Sequence, residues 1–318
     1  MLFRHAFTAG ALCALAFDAC ASCGASFCVV NTDWVTQGAW AEPGLRFDLR
    51  YEYVDQDQPR SGTDKVSVGE IPKHHDEVET LNRNWVAMLD WNAAPAWSLS
   101  AVLPYVDRDH FHIHNHRGEK IEDRWSLRGV GDMKVLGRWR AFDAADPAAP
   151  RSGGLTFGVK LPTGEYDQAN DNGEVAERTL QPGTGTTDVI AGAWFHGGAP
   201  VDGWTWFALA QGQWATNERG GFKPGDQAQL DAGLRWVAGP NVALLLQANY
   251  LYKGRDSGAN AEAEDSGQKA FFVSPGVSWN LARAAQLYAF VQVPLWHKVN
   301  GVQLTAEWSA LAGVSWRF

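Results

Sequence analysis

The sequence predicts an all-β fold, a membrane-spanning antiparallel up-and-down β-barrel of about twelve strands, from three observations. The first is its last segment, QLTAEWSALAGVSWRF. Leu304, Ala306, Trp308, Ala310, Ala312, Val314, Trp316 and Phe318 fall on one side, and Gln303, Thr305, Glu307, Ser309, Ser315 and Arg317 on the other. A two-residue period held over this length is a strand with one apolar and one wet face. The second is that nothing after the first residues approaches the run of about 18 apolar residues that a spanning helix needs. The third is that similar alternating segments recur from Gly44 onward, with connectors sorted into short and long.

The elements follow in order. GLRFDLRYEYV puts Leu45, Phe47, Leu49, Tyr51 and Tyr53 outward and Arg46, Asp48, Arg50 and Glu52 inward. Next come Trp85/Ala87/Leu89/Trp91, Trp97/Leu99/Ala101/Leu103/Tyr105 and Met133/Val135/Gly137/Trp139/Ala141. Leu155/Phe157/Val159/Leu161, Val189/Ala191/Ala193/Phe195 and Trp206/Ala208/Ala210/Trp214 follow. The set closes with Leu230/Ala232/Leu234/Trp236, Leu244/Leu246/Ala248/Tyr250, Phe271/Val273/Val277/Trp279, Leu287/Ala289/Val291/Val293 and the terminal segment. Segments of about ten residues suit tilted barrel strands. Links 92–96, 197–203, 238–241 and 281–285 are short and 143–153 is longer, whereas 56–79, 107–131, 163–187 and 253–269 are long and polar. This is the alternation of periplasmic turns with extracellular loops, and it places both ends of the barrel in the periplasm. Pro104, Pro162 and Pro294 fall near loop ends of up-going strands, as a residue that cannot donate to a ladder should.

Composition agrees. A mean hydropathy of -0.27 hides a membrane protein when only alternate residues face lipid. Sixteen Trp suit interfacial girdles, and a net charge of -9 leaves no nucleic-acid footprint. Residues 1–21 read as a secretory signal, with Arg4 and His5, an apolar core from Ala6 to Phe17, and Ala19-Cys20-Ala21 before the cut. Cleavage before Ser22 is favoured, with Ala25 as the alternative. Residues 22–43 are then a periplasmic N-terminal arm and 44–318 the barrel. Cys23 and Cys28 remain in the arm, where an oxidising compartment favours a disulfide over a thiolate metal or redox site.

The segments GVGDMKVLGRWRAF (129–142), TFGVKLPTGEYD (156–167) and LQPGTGTTDVIAGAWF (180–195) carry the motifs GDxKV, KLPTG and QPGTG in that order. In these motifs the chain resembles the outer-membrane β-barrel family named for the MetA pathway of phenol degradation. The terminal strand, ending on Phe318, also resembles the last-strand signal of bacterial outer-membrane barrels. The resemblance covers roughly the middle third. It implies a Gram-negative outer-membrane barrel with a transport role, and transfers no functional residue.

Two residue sets are candidate sites. DRDHFHIHNHRGE holds His110, His112, His114 and His116, and the preceding long loop holds His74 and His75. If the strand begun at Trp97 continues upward, the four even-numbered histidines face the lumen or its mouth. Histidines two apart on a strand stand about 6.6 Å apart. An adjacent pair therefore needs a further ligand from elsewhere to hold Zn²⁺, Cu²⁺ or Ni²⁺. The alternative is imidazoles that only line the mouth. The second set is wall charge. Lys134, Arg138, Arg140, Lys160, Arg235 and Arg317 point inward against Asp48, Glu52, Asp90, Asp188, Asp231 and Glu307. It reads either as a selectivity field for an anionic or zwitterionic solute or as a salt-bridge network closing a narrow lumen. Leu136, Phe142, Trp194, Phe207 and Leu209 also point inward, as a constriction would. No GxSxG or HExxH occurs, so no enzyme is expected. The expected function is passive passage of a small solute through the bilayer. The alternatives are a surface metal-binding protein anchored by its barrel, and a barrel sleeve whose Cys23–Cys28 arm docks a periplasmic protein.

Overall fold

The computed structural model describes residues 28–40, 42–71, 76–116, 119–144, 146, 149–199 and 202–318, without the side chains of residues 76, 114–116 and 119. His74, His75 and Cys23 lie outside the described residues. Among those described there are fourteen strand segments: β1 (Gly44–Ser61), β2 (Asp64–Lys65), β3 (Asp76–Ala94), β4 (Trp97–His116), β5 (Glu119–Val130), β6 (Met133–Ala144) and β7 (Arg151–Leu161), then β8 (Asp188–Ala199), β9 (Trp204–Ala215), β10 (Gln227–Val237), β11 (Val242–Lys253), β12 (Gln268–Asn280), β13 (Ala285–Val299) and β14 (Val302–Arg317). They make twelve wall strands. β2 is a short return beside the tip of β1. β5 pairs the upper part of β4 and β6 its lower part, so the two share one place in the wall, broken at Gly131–Asp132. β14 pairs antiparallel with β1, from Arg46 opposite Arg317 to Ser61 opposite Val302, and closes the barrel.

Side chains sort by the pleat. Leu45, Phe47, Leu89, Leu99, Leu155, Val189, Leu230, Leu244 and Val291 are exposed outward, while Arg46, Asp48, Asn84, Asp90, Ser100 and Asn249 are buried inward. Two aromatic rings flank this apolar band. Trp91, Trp97, Trp139, Trp204, Trp236, Trp279 and Trp316 sit at the short-turn end, and Trp85, Tyr105, Trp214, Phe271, Trp296 and Trp308 at the loop end. On β9, Trp204 and Trp214 are ten positions apart, about 25 Å along the barrel axis at a strand tilt near 40°. That is the height of an outer-membrane apolar band.

The prolines sit where ladder bonds are missing. Pro104 lies where β4 exchanges β6 for β5 as its partner, and its carbonyl accepts the Gly131 N–H at 2.8 Å. Pro294 lies at the register shift of β13 against β12, and Pro162 follows the end of β7.

Four expectations are corrected. A β-bulge in β14 near Ala306 reverses the faces above it, because one inserted residue shifts a two-residue period by half. Leu304 therefore turns inward and is 1% exposed, in a cluster with Trp125, Leu127, Ala176 and Leu180. Glu307 turns outward, where its half-exposed carboxylate pairs with Lys65, and leaves the set of lumen charges. A second irregularity, between Arg140 and Phe142, turns Phe142 outward against Phe195, ring centroids 6.3 Å apart. The segment 107–131 is not an open loop; β4 and β5 continue as a hairpin paired from Tyr105–Val130 to His116–Glu119.

The fourth correction concerns the arm. Residues 28–40 do not extend into the periplasm; they lie inside the barrel. Val30, Asn31, Thr32, Trp34, Val35, Thr36, Gln37 and Trp40 are all buried. A twelve-strand lumen is wider than the eight-strand interior that side chains just fill, and here the arm occupies it.

Candidate functional site

The lumen is occupied at two levels. At the lower one the arm meets the wall through polar side chains of many strands. The Asn31 N–H donates to Gln247 Oε1 at 2.9 Å, and Gln247 Nε2 returns a bond to the Asn31 carbonyl at 2.8 Å. The side chain of Asn31 reaches Asp231 at 3.4 Å, and Gln229 Nε2 donates to the Val29 carbonyl at 2.7 Å. The Cys28 thiol points at the Ala310 carbonyl, 3.8 Å away. Asp33 caps its own turn, accepting the N–H groups of Val35 and Thr36 on Oδ1 at 3.1 and 3.2 Å. Its Oδ2 faces Arg138. Beside it, Trp34 packs edge-on to Tyr288 with centroids 5.0 Å apart, in a cluster with Val30, Leu245, Phe290 and Leu311. The Arg46 guanidinium lies 5.5 and 5.9 Å from the Trp34 and Trp40 rings. Arg317 donates to the Ala39 carbonyl at 3.4 Å.

At the upper level, residues 162–187 fold back over the mouth, and the three sequence motifs converge there. The Lys160 ammonium stands 3.1 Å from Asp132 and 3.1 Å from Asp188, and donates to Thr184 and Thr186. Asp132 accepts the Gly164 and Thr184 N–H groups at 3.1 and 2.9 Å, and the Thr184 hydroxyl at 2.7 Å. Thr163 donates to the Gly131 carbonyl at 2.7 Å. Gly164 and Gly183 touch so closely that a Cβ on Gly183 would sit 2.4 Å from the Gly164 carbonyl oxygen, so only glycine permits the crossing. Further along, Leu180 packs on Trp125 and Leu304, and Arg108 donates to its carbonyl.

The described histidines belong to this upper level. β4 continues through them, and His110 and His112 are 2% and 3% exposed. His110 Nδ1 is 2.8 Å from Thr80 Oγ1, and Nε2 is 3.4 Å from His112 Nδ1. His112 Nε2 lies 3.9 Å from Asp123 Oδ2, with the Trp125 ring 4.6 Å from its own. Burial of His110, above the aromatic ring at Tyr105 and beside Arg108, pushes its imidazole down to about 3. Among the described residues no three His, Cys, Asp or Glu side chains converge as a metal site would require. His114 and His116 are placed on β4 by backbone alone.

The other residues singled out in the sequence spread along the wall. Lys134 and Arg138 point inward from β6, and Arg140, near its lower end, stands 3.6 Å from Asp143. Asp231 accepts from Asn249 at 2.7 Å and Gln229 at 3.0 Å. Arg235 is half-buried low on β10. Trp194 and Phe207 are buried inward, and His196 stacks on Trp194 at 5.5 Å. The sequence reading missed Asn31, Asp33 and Trp34, whose stretch has no period to betray its place. It also missed Trp125 and Leu127, which alternate with Arg124, Ser126 and Arg128 and could have been read as a strand.

No family model matches the chain, and a search of curated proteins finds no match either. Among solved structures it is similar to an outer-membrane channel from Pseudomonas putida F1, with a TM-score of 0.68 at 13% identity over 91% of this chain and 100% of that one. The β domain of the Bordetella autotransporter BrkA gives a TM-score of 0.46 at 14% identity, covering 87% and 100% of the two chains. The KdgM porin gives 0.42 at 9%, covering 86% and 99%. The first likeness shows the fold; the other two are too distant to add to it. A closed antiparallel barrel with two aromatic girdles and a polar, chain-filled interior defines the class. The protein is an outer-membrane β-barrel of Gram-negative type.

Proposed function

We propose that the protein is a gated passive channel for a small solute, closed by residues 28–40 and narrowed above by residues 162–187. The observation that carries this reading is the chemistry of the lower closure. The wall presents amides, carboxylates and hydroxyls to the lumen, and the arm satisfies them with one stretch of chain tied to the barrel at Gly44. Such hydrogen bonds are each worth about 1 kcal/mol net, because water replaces them when the stretch leaves. Apolar contact comes chiefly from Val30 and Trp34, about 2 kcal/mol apiece, with Cys28 and Ala39 packed beside them and Val35 and Trp40 buried on the same stretch. A barrel serving only as an anchor gains nothing from so exchangeable a filling.

The test is conductance in planar bilayers of the full chain and of a variant lacking residues 28–40. The full chain is expected to be mostly closed, with brief openings, and the shortened barrel to conduct steadily. A shortened barrel that folds, shown by its heat-modifiable migration, yet stays silent would sink the reading.

A further inference from the structure

Resting on the channel reading, we propose that the Arg138 guanidinium is the carboxylate-binding subsite of the lumen, and that Asp33 and Trp34 of the arm hold it as a tethered stand-in for a small organic acid with an apolar body. Arg138 is 2% exposed, a cation taken almost wholly out of water. Its Nη1 donates to Ser100 Oγ at 2.5 Å and lies 3.7 Å from Asp90. The other edge, Nε and Nη2, has the width of a carboxylate and suits two parallel bonds to two oxygens. Here both nitrogens close on the single oxygen Oδ2 of Asp33, at 2.7 and 2.5 Å. Asp33 Oδ1 is turned away, held by the N–H groups of Val35 and Thr36. Nη2 is consequently left without an aligned acceptor. A free carboxylate, not bound to the arm's turn, can offer the oxygen that Asp33 withholds.

Charge counting sets the specificity. Arg138 faces two acids, Asp90 from the wall and Asp33 from the arm. Exchange of Asp33 for a solute carboxylate leaves the buried charge unchanged. A neutral solute would leave the guanidinium with Asp90 alone at 3.7 Å, at the cost of desolvation without a close partner. Lys134 extends the site upward. It stands four residues earlier on the same inward face of β6, about 13 Å away at 3.3 Å per residue. The acids nearest it, Asp132 and Asp188, are committed to Lys160, and Arg50 is committed to Glu52 at 2.7 Å. The Lys134 ammonium has no ion pair or hydrogen bond among the described residues. An acid descending the lumen meets an unmatched cation first and the guanidinium edge second. The space vacated by Trp34, against Tyr288, Phe290, Leu245 and Leu311, takes its apolar body.

Equilibrium dialysis of the full chain in detergent against labelled benzoate tests this, with benzamide, its uncharged isostere, as control. Asp33→Asn keeps the shape of the arm and removes the competing charge. It should bind benzoate at least tenfold more tightly than the native chain and leave benzamide unchanged. Arg138→Gln should abolish benzoate binding; if it does not fold, Lys134→Gln in the Asp33→Asn background should weaken it severalfold. Equal benzoate affinity for the native chain and Asp33→Asn, or equal gains for benzoate and benzamide, overturns the subsite. Conductance of Asp33→Asn in bilayers separates the two readings. Current without a benzoate preference leaves the channel and removes the subsite, whereas tight benzoate binding by a silent barrel does the reverse.

Discussion

The two closures of the lumen are built by opposite means. The upper one, residues 162–187, is tied to the wall at both ends, by β7 and β8, and centres on a buried Lys160 between two carboxylates and a crossing of two glycine backbones. The lower one, residues 28–40, follows directly into β1 and meets the wall through amide side chains that water can replace, through the Asp33–Arg138 pair and through the Trp34 cluster. Geometry fixes the first and exchange holds the second. On the proposed channel reading, the upper level is the constriction and gating belongs to the lower.

The largest effect that can break this contrast is at Lys160. Lys160→Met leaves Asp132 and Asp188 facing each other in a dry site, and losing one partner of a buried ion cluster costs about 3–5 kcal/mol. Thermal unfolding in detergent should show a drop in Tm of many degrees. An unchanged Tm would mean that the cluster is not structural, and the contrast would fail. Gly183→Ala comes next. Its Cβ meets backbone, which cannot swing aside as a side-chain tip can. Overpacking of this kind costs about 1–3 kcal/mol, and a cysteine placed at exposed Glu174 should become more accessible to a bulky maleimide as the segment lifts.

The sequence legibility of the two levels differs for the same physical reason. Wall faces follow from a two-residue period, so Lys134, Arg138, Lys160 and Asp231 could be assigned to the lumen from spacing alone. Glu307 and Phe142 could not, because one bulged residue reverses a face and leaves no mark in composition. The three motifs around Asp132, Lys160 and Thr184 were visible as motifs. Their meeting at one ammonium depends on strand pairing far apart in sequence. The arm was the least legible part. Its backbone N–H groups and side chains match partners on β6, β10, β11 and β13, and nothing local in Asn31-Thr32-Asp33-Trp34 names those partners.

A pH effect of about 1–2 kcal/mol sharpens the comparison from the upper side. Folded His110 takes up a proton only near 3, against about 6.5 when unfolded. The neutral form is the folded one, so its contribution is complete above about 6.5 and is lost progressively as pH falls from 6.5 toward 3. Between pH 7 and 5 the β4–β5 hairpin should loosen, read by faster amide exchange at Phe111 and Trp125. His110→Asn should flatten that profile. A profile that persists in the variant would place the titrating group elsewhere.

The smallest effect expected is also the most diagnostic for the arm. Asn31→Ala keeps the backbone bonds to Gln247 and removes the side-chain contacts to Asp231, Gln37 and the Asp33 N–H. Of these only the 3.4 Å bond to Asp231 joins the arm to the wall, so the loss from docking is about 1 kcal/mol, too little to move a Tm set by the barrel wall. If the arm is held by exchange, that 1 kcal/mol falls wholly on the docked–released equilibrium and raises the released fraction about fivefold. The open time in bilayers should rise by the same factor at constant single-channel amplitude. If the arm were a structural filling, the same substitution would lower Tm slightly and leave the open time alone. Because barrel stability and arm docking are read by separate instruments, one conservative substitution distinguishes a gate from a core.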